Sequence, residues 1–413
     1  MRLINSHACY SYYLAIKLEM NKLIVLLFLL SGYAKAQDPL VSSMLADVRI
    51  DSLVLYASEI SGEFPVVVGG STVTISSRNK NFPGNAIAAD YLQERLGSFG
   101  LETTVQAFGT TGENILATQP GLIYPNQKVI ICGHYDSMPA NGTASPAADD
   151  DGSGTAAVIE AARILSNYQF AYTIVYALWD EEEYGLVGSN YYATQAENNN
   201  DSLVAVINLD AIAWDGDGDA LARVHVRNYA NSVNLGTVAV NMISTYGINL
   251  QVEVNSPGAT YSDHASFWNH DFTAILIIED FDNDGNPHYH TTTDKVEFFD
   301  NSYFEQIAKW AFATTATMAV PLSEGVGVND LTSRSFQVYP NPVSHELVIA
   351  GSGSEHSKVS LALFNALGKL VQTEMVSSFP HMVSTGGLLA GSYLLRLTDE
   401  KGAVIFTQNV LKK

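Results

Sequence analysis

One histidine and four aspartates crowd the stretch from Lys128 to Leu165. It reads K-V-I-I-C-G-H-Y-D-S and, after a Pro/Ala/Gly-rich loop, A-D-D-D-G-S-G-T-A-A-V-I-E-A-A-R-I-L. His134, Asp136, Asp149, Asp150 and Asp151 offer nitrogen and oxygen donors of the kind that hold zinc in hydrolytic centres. Each has a blander reading in isolation, since a lone histidine is usually a hydrogen-bonded polar residue and aspartates ahead of a helix are ordinary caps. Further acidic groups and histidines follow in Asp180-Glu181-Glu182-Glu183, Asp210, Glu279-Asp280 and His288-Tyr289-His290. Two-metal hydrolysis needs histidine and carboxylate ligands, a bridging carboxylate, room for water and a separate carboxylate to take the water's proton. His134, Asp149, Glu183, Asp210 and His290 supply five ligands, and Glu182 stands beside one of them without having to be one. The inventory fits two metals.

The elements that must position these groups are legible in the hydrophobic pattern. Val129–Cys132 is a short apolar, β-branched run that reads as a buried strand, and Thr155–Leu165 has helical apolar spacing. Ser42–Ile60 and Asn85–Leu96 also read as helices, and Thr103–Phe108 and Asn114–Thr118 as strands. Beyond Cys132, strands (172–179, 203–209, 222–226, 250–254, 274–278) alternate with helices (155–165, 187–195, 231–246, 264–269, 303–319). That alternation predicts an α/β fold in which a mostly parallel mixed sheet is sandwiched by helices. Right-handed crossovers gather the loops after the parallel strands on one edge, so the candidate ligands should meet there. Residues 336–410 change character to short alternating strands with Gly and Asn turns, which predicts a small C-terminal all-β sandwich.

The 413 residues carry 43 acidic against 21 basic side chains, a net charge of −22. This excludes nucleic acid as a partner, because phosphate binding needs clustered Lys and Arg. Met20-Asn21-Lys22, the apolar run 23–30 and the Ala34-Lys35-Ala36 ending form a secretory signal pattern, and no other run reaches the length of a membrane span. We therefore divide the chain into a signal region 1–36 (the signal peptide itself 20–36), a catalytic domain 37–322, a linker 323–334 and a sandwich 335–413. Of two cysteines, Cys9 lies in the signal region and Cys132 reads as a small core residue.

The segments G-H-Y-D-S, A-D-D-D-G-S-G, D-E-E-E-Y-G-L-V-G-S, N-L-D, S-D-H-A-S-F and H-Y-H-T-T-T-D occur in this order over roughly residues 45 to 320. Together they resemble the co-catalytic di-zinc aminopeptidase family of secreted bacterial leucyl-type enzymes. That resemblance implies a zinc-exopeptidase-like fold and two zinc ions per chain. Asp149 would bridge them, His134 and Asp210 would complete one site, and Glu183 and His290 the other. Glu182 would be the general base and later acid as N-terminal residues are hydrolysed from peptides or proteins with free N-termini. Asp136 would orient His134, and Tyr289 would stabilise the oxyanion. The resemblance also implies a cis peptide between the bridging aspartate and its successor, here Asp149-Asp150.

The sandwich has a resemblance of its own. Val338-Tyr339-Pro340-Asn341-Pro342, Leu363-Phe364-Asn365, Gly368-Lys369, Leu389-Ala390-Gly391-Ser392-Tyr393 and the final Val410-Leu411-Lys412-Lys413 are similar to the type A sorting domain of the type IX secretion system. This implies a secreted or cell-surface protein exported across the periplasm and outer membrane of a Gram-negative bacterium, with the secretion machinery as a partner.

Two other functional readings compete. A glutaminyl-peptide cyclase resembles the same scaffold but works with one zinc, and a catalytically silent adhesion or binding module would need no paired Glu182 and Glu183. His264 and His288 read as structural or loop residues. Asp280, Asp282 and Asp284 open like a calcium loop, although the twelfth position is Thr291 where such a loop carries Glu; Asp215, Asp217 and Asp219 form a second such run.

Overall fold

The computed structural model describes residues 37–322, 336–351, 359–365, 369–398 and 404–413. The expected signal region 1–36 and linker 323–334 lie outside the described residues. These form two compact units, one ending at Leu322 and the other beginning at Phe336.

The first unit runs α1 (Pro39–Ala46), α2 (Ile50–Ile60), β1 (Val66–Val68), β2 (Ser71–Val73), α3 (Pro83–Gly97), β3 (Glu102–Phe108), β4 (Gly112–Gln119) and β5 (Tyr124–His134). It continues through α4 (Gly152–Leu165), β6 (Gln169–Phe170), β7 (Tyr172–Trp179), α5 (Val187–Asn198), β8 (Ser202–Leu209) and β9 (Leu221–His225). The remaining elements are α6 (Ser232–Tyr246), β10 (Gln251–Asn255), α7 (His264–Asn269), β11 (Ala274–Glu279), α8 (Asn301–Ala319) and β12 (Pro321–Leu322). The helical spacing over 42–60 is divided into two helices. At the break the Arg49 N–H goes to the buried Glu160 (3.1 Å), and Arg163 donates to the Asp47 carbonyl (2.8 Å). Tertiary partners thus satisfy backbone groups that local sequence would have left inside one helix.

Eight strands form one sheet in the order β10-β9-β11-β8-β5-β7-β4-β3. The central four, β11, β8, β5 and β7, are mutually parallel, while β4 and β9 join them antiparallel on either side. Alternate side chains of the central strands feed two helix layers, as the period of a strand requires. Val129, Ile131, Ile174, Tyr176 and Ile207 pack with residues of α2, α3, α4 and α8, whereas Ile130, Cys132, Val175, Ala177 and Val206 pack with α5 and α7. Both faces are therefore covered, which explains why these strands are apolar runs without a polar face. Cys132 is a free, buried core thiol. Among the described residues, no helix is long and apolar enough to cross a membrane.

The second unit packs a three-stranded sheet, β13 (Phe336–Tyr339), β14 (Glu346–Gly351) and β17 (His381–Ser384), against a four-stranded one. The latter holds β15 (Val359–Asn365), β16 (Leu370–Val376), β18 (Gly391–Thr398) and β19 (Val404–Lys412). Leu347, Ile349, Leu361, Leu363, Val383, Leu395 and Leu397 form its core. Strands β13, β16 and β17 escape the sequence pattern because they are short or leave their large apolar residues exposed, Leu370 and Met382 among them.

Candidate metal centre

The parallel register brings the charged loops to one sheet edge. His134, the last residue of β5, lies opposite Trp179, the last residue of β7, so the acidic run Asp180–Glu183 starts beside the histidine. Asp210 follows β8 directly, and His290 enters from the loop after β11. Two sets of ligand atoms converge, each within 4.8 Å: His134, Glu182 and Asp210 in one, Asp150, Glu183 and His290 in the other.

The aspartate between the sets is Asp150, which corrects the assignment of Asp149. Its Oδ1 lies 3.1 Å from His134 Nε2 and its Oδ2 lies 3.1 Å from His290 Nε2. Asp149 instead turns inward, where its carboxylate accepts the Ala213 N–H (2.9 Å) and the Asn286 amide (2.8 Å). The cis peptide likewise falls one residue later than expected, between Asp150 and Asp151. Asp151 shapes the loop: it caps α4 by accepting the Gly154 N–H (2.8 Å) and also takes the His134 N–H (3.0 Å). Three adjacent aspartates thus point in three directions, which no sequence periodicity reveals.

Asp136 faces His134 and bonds to the backbone of the adjacent Glu182 and Glu183. Its Oδ1 faces His134 Nδ1 at 3.4 Å, and its two oxygens accept the backbone N–H groups of Glu182 (2.9 Å) and Glu183 (3.3 Å). The Glu182 carboxylate lies 3.9 Å from His134 Nε2, and Glu183 lies 2.9 Å from His290 Nε2. Glu181, Leu186, Ala211 and His290 all hold left-handed backbone conformations (φ +48° to +59°). Such conformations cost non-glycine residues energy and persist where surroundings over-determine them, commonly at functional sites.

The electrostatics are those of an anionic nest. Burial pushes the Glu183 carboxyl up to about 7, with Asp150 adding to the rise, and burial with Asp263, Asp210 and Asp136 raises Glu182 well above its usual range. Burial opposes protonation of His290, yet Asp150 and Glu183 outweigh it and lift the imidazole to about 10. Carboxylates packed this closely out of water are unfavourable without a cation to share them. His290 Nε2 and Glu183 Oε1 have no hydrogen bond of acceptable geometry despite their burial.

A cavity of about 620 Å³ opens over the two sets, lined by Asp150, Glu182, Glu183 and Asp210 on one side. Leu186, Ile278, Tyr261, Phe281 and Tyr289 supply its large apolar and aromatic lining. The rings form a ladder: Tyr261 to Phe281 (6.1 Å between centroids), Phe281 to Tyr289 (5.0 Å) and Tyr289 stacked on His290 (3.8 Å).

Two further carboxylates at the site, Asp294 and Asp263, lie in the motif segments but are not singled out by residue type or spacing. Asp294, buried, accepts the N–H groups of Asp149 (3.1 Å) and Asp150 (3.2 Å); it closes the H-Y-H-T-T-T-D segment, the one available signal. Asp263 of S-D-H is fully buried with both oxygens unpartnered. His264 is buried and donates its Nε2–H to the Ala259 carbonyl (2.9 Å), while His288 stacks on Phe298 (3.9 Å). The calcium-like run is not assembled as expected: Asp280 is held by Arg223 (2.6 Å), and Asp284 groups with Asp215 and Asp217.

Fold and site together define an α/β protein with two clusters of metal-ligand type joined by one aspartate. Residues 114–315 match the model of peptidase family M28, and residues 337–412 match that of a secretion system C-terminal sorting domain, which indicates type IX secretion to the cell surface or the medium. A probable leucine aminopeptidase of Trichophyton verrucosum is 31% identical over 218 residues, 50% of this chain and 58% of the relative, so the chain spans well under two thirds of that protein. The LapA aminopeptidase of Legionella pneumophila shares the fold with a TM-score of 0.60 at 22% identity, covering 68% of this chain and 75% of that one. A glutaminyl cyclase of Porphyromonas gingivalis also shares it, with a TM-score of 0.54 at 20% identity over 64% and 97% of the two chains.

Proposed function

We propose that the protein is a secreted zinc aminopeptidase that binds two metal ions and removes N-terminal residues from peptides with free N-termini. The observation that carries this reading is the position of Asp150, with one oxygen on each histidine, Glu182 and Asp210 beside the first and Glu183 beside the second. The donor chemistry fits zinc: imidazole nitrogens and carboxylate oxygens converge, and the buried His290 Nε2 faces carboxylates at 2.9 and 3.1 Å without a proper hydrogen bond. His134, Asp150 and Asp210 would hold one ion and Asp150, Glu183 and His290 the other.

Zinc bound there supplies a Lewis acid for the scissile carbonyl and makes water acidic enough to lose a proton near neutral pH. Glu182, a member of the first set that is not needed as a ligand once Asp150 joins His134 and Asp210, takes that proton and delivers it to the departing amine. Asp136 keeps the His134 ring and the Glu182 backbone in place. Tyr289, at the cavity wall beside His290, donates to the oxygen that becomes negative in the tetrahedral state. The acidic wall favours a free ammonium group, and the aromatic ladder favours a large apolar first side chain.

The test is a panel of amino-acid amides and N-blocked peptides offered to the purified chain before and after chelation. Release from free amides that chelation abolishes and zinc restores supports the reading. Cleavage of the blocked peptides would move it to an endopeptidase or carboxypeptidase. The single-zinc cyclase reading leaves His134 and Asp210 without a task, and the metal content of the purified protein separates the two.

A further inference from the structure

Arg78 lies outside every motif discussed above, yet its side chain is wholly buried. A guanidinium out of water is costly unless its N–H groups find partners. Here the partners are backbone carbonyls: Nε donates to Tyr135 (2.6 Å), Nη1 to Ile60 (2.8 Å) and Pro146 (2.7 Å), and Nη2 to Ala147 (2.8 Å). They belong to separate pieces of chain. Tyr135 stands between His134 and Asp136, Pro146 and Ala147 open the loop that carries Asp150, and Ile60 ends α2.

Neighbouring bonds run between the same segments. The Arg78 N–H donates to Ser137 Oγ (3.0 Å), the Asn79 amide to the Ser137 carbonyl (2.9 Å), and the Ser145 N–H to the Ser76 carbonyl (3.0 Å). A Cβ on Gly152 would meet the Ala147 carbonyl at 2.9 Å and approach Arg78 Nη2 at 3.7 Å, so a bulkier residue there would have to displace the carbonyl that Arg78 holds. Burial lowers the guanidinium to about 10, against the pull of Asp294, Asp151, Asp136 and Asp150, so it stays charged at neutral pH and faces those carboxylates.

We propose that Arg78 is a positioning residue of the metal centre. Its planar fork sets the separation between the His134–Asp136 segment and the Asp150 loop, and its charge holds these carboxylate-rich segments together before metal binds. The proposal rests on the two-metal reading above.

The test is zinc affinity of the full chain by competition with a chromophoric chelator, alongside circular dichroism and steady-state kinetics. Arg78→Lys keeps the charge and loses the fork, whereas Arg78→Met keeps the length and loses both. Arg78→Lys is expected to keep the native spectrum, bind zinc about 10–100-fold more weakly and lose kcat with KM little changed; Arg78→Met binds more weakly still. A folded Arg78→Lys with native zinc affinity overturns the assignment while leaving the metal reading intact. A wild-type chain that takes up no zinc overturns both. Because the variants can fail to fold, hydrogen exchange on the zinc-free wild type provides a second measurement. Protection of amides 134–137 and 147–151 without zinc supports pre-positioning by Arg78, and their exposure on zinc removal overturns it.

Discussion

Asp136 Oδ1 accepts the backbone N–H of Glu182 at 2.9 Å while lying 3.4 Å from the Nδ1 of His134. One buried carboxylate thereby couples the orientation of a proposed ligand to the position of the proposed base. Asp136→Asn replaces an acceptor with a donor toward one of these groups. We expect zinc affinity to fall about 10–100-fold and turnover to fall with it, as read by competition titration and kcat. Unchanged values for both would remove Asp136 from the centre.

Glu182→Gln tests the base separately from the metal. The amide matches the carboxylate in size but cannot accept a proton, so fold and zinc content should persist while kcat drops by about 10²–10⁴-fold or more. Metal analysis together with the kinetics decides it, since near-normal kcat at full zinc content is incompatible with the role.

Asp149 and Asp150 make a paired comparison. Asp150→Ala removes the carboxylate between the two sets and should abolish two-metal binding and activity. Asp149→Asn keeps one accepting oxygen, for the Ala213 N–H or the Asn286 amide but not both, yet leaves Asp150 in place and should retain both ions. The opposite pattern in elemental analysis would restore Asp149 as the bridge.

The aromatic ladder predicts selectivity. Amides of leucine, methionine or phenylalanine should be cleaved with higher kcat/KM than those of glycine or aspartate, and Phe281→Ala should shrink that preference. In a hydrophobic pocket even one methylene of difference between substrates is worth about 1–3 kcal/mol, or roughly 10–200-fold. An unchanged ranking in the variant would place the specificity elsewhere.

His264 provides a pH-dependent stability test away from the ligands. Burial holds its imidazole down at about 3, against the ordinary 6.5 of the unfolded chain. The folded state therefore needs the neutral ring, and the unfolded chain binds the extra proton between those values. The stabilisation is complete above about 6.5 and is lost as pH falls toward 3, with a slope approaching about 1.4 kcal/mol per pH unit. Urea midpoints between pH 7 and 5 should fall less steeply for His264→Gln than for the native chain. Equal slopes would mean that the ring is protonated in the folded state.

Much of this protein is legible without coordinates. Apolar runs in β5, β7, β8 and β11 and their alternation with amphipathic helices determine a helix-covered parallel core, because a strand buried on both faces admits no polar side. The residue types that follow those strands determine that metal-ligand chemistry is concentrated at one edge. The tertiary structure alone decides which of three consecutive aspartates faces the histidines, since that depends on backbone geometry and on distant acceptors and donors such as Asn286, Ala213 and Asp294. It also decides the division of 42–60 into two helices and the burial of Arg78, whose partners are carbonyls that every residue carries. Side-chain type and spacing encode the supply of donors and acceptors. Long-range packing determines which of them meet.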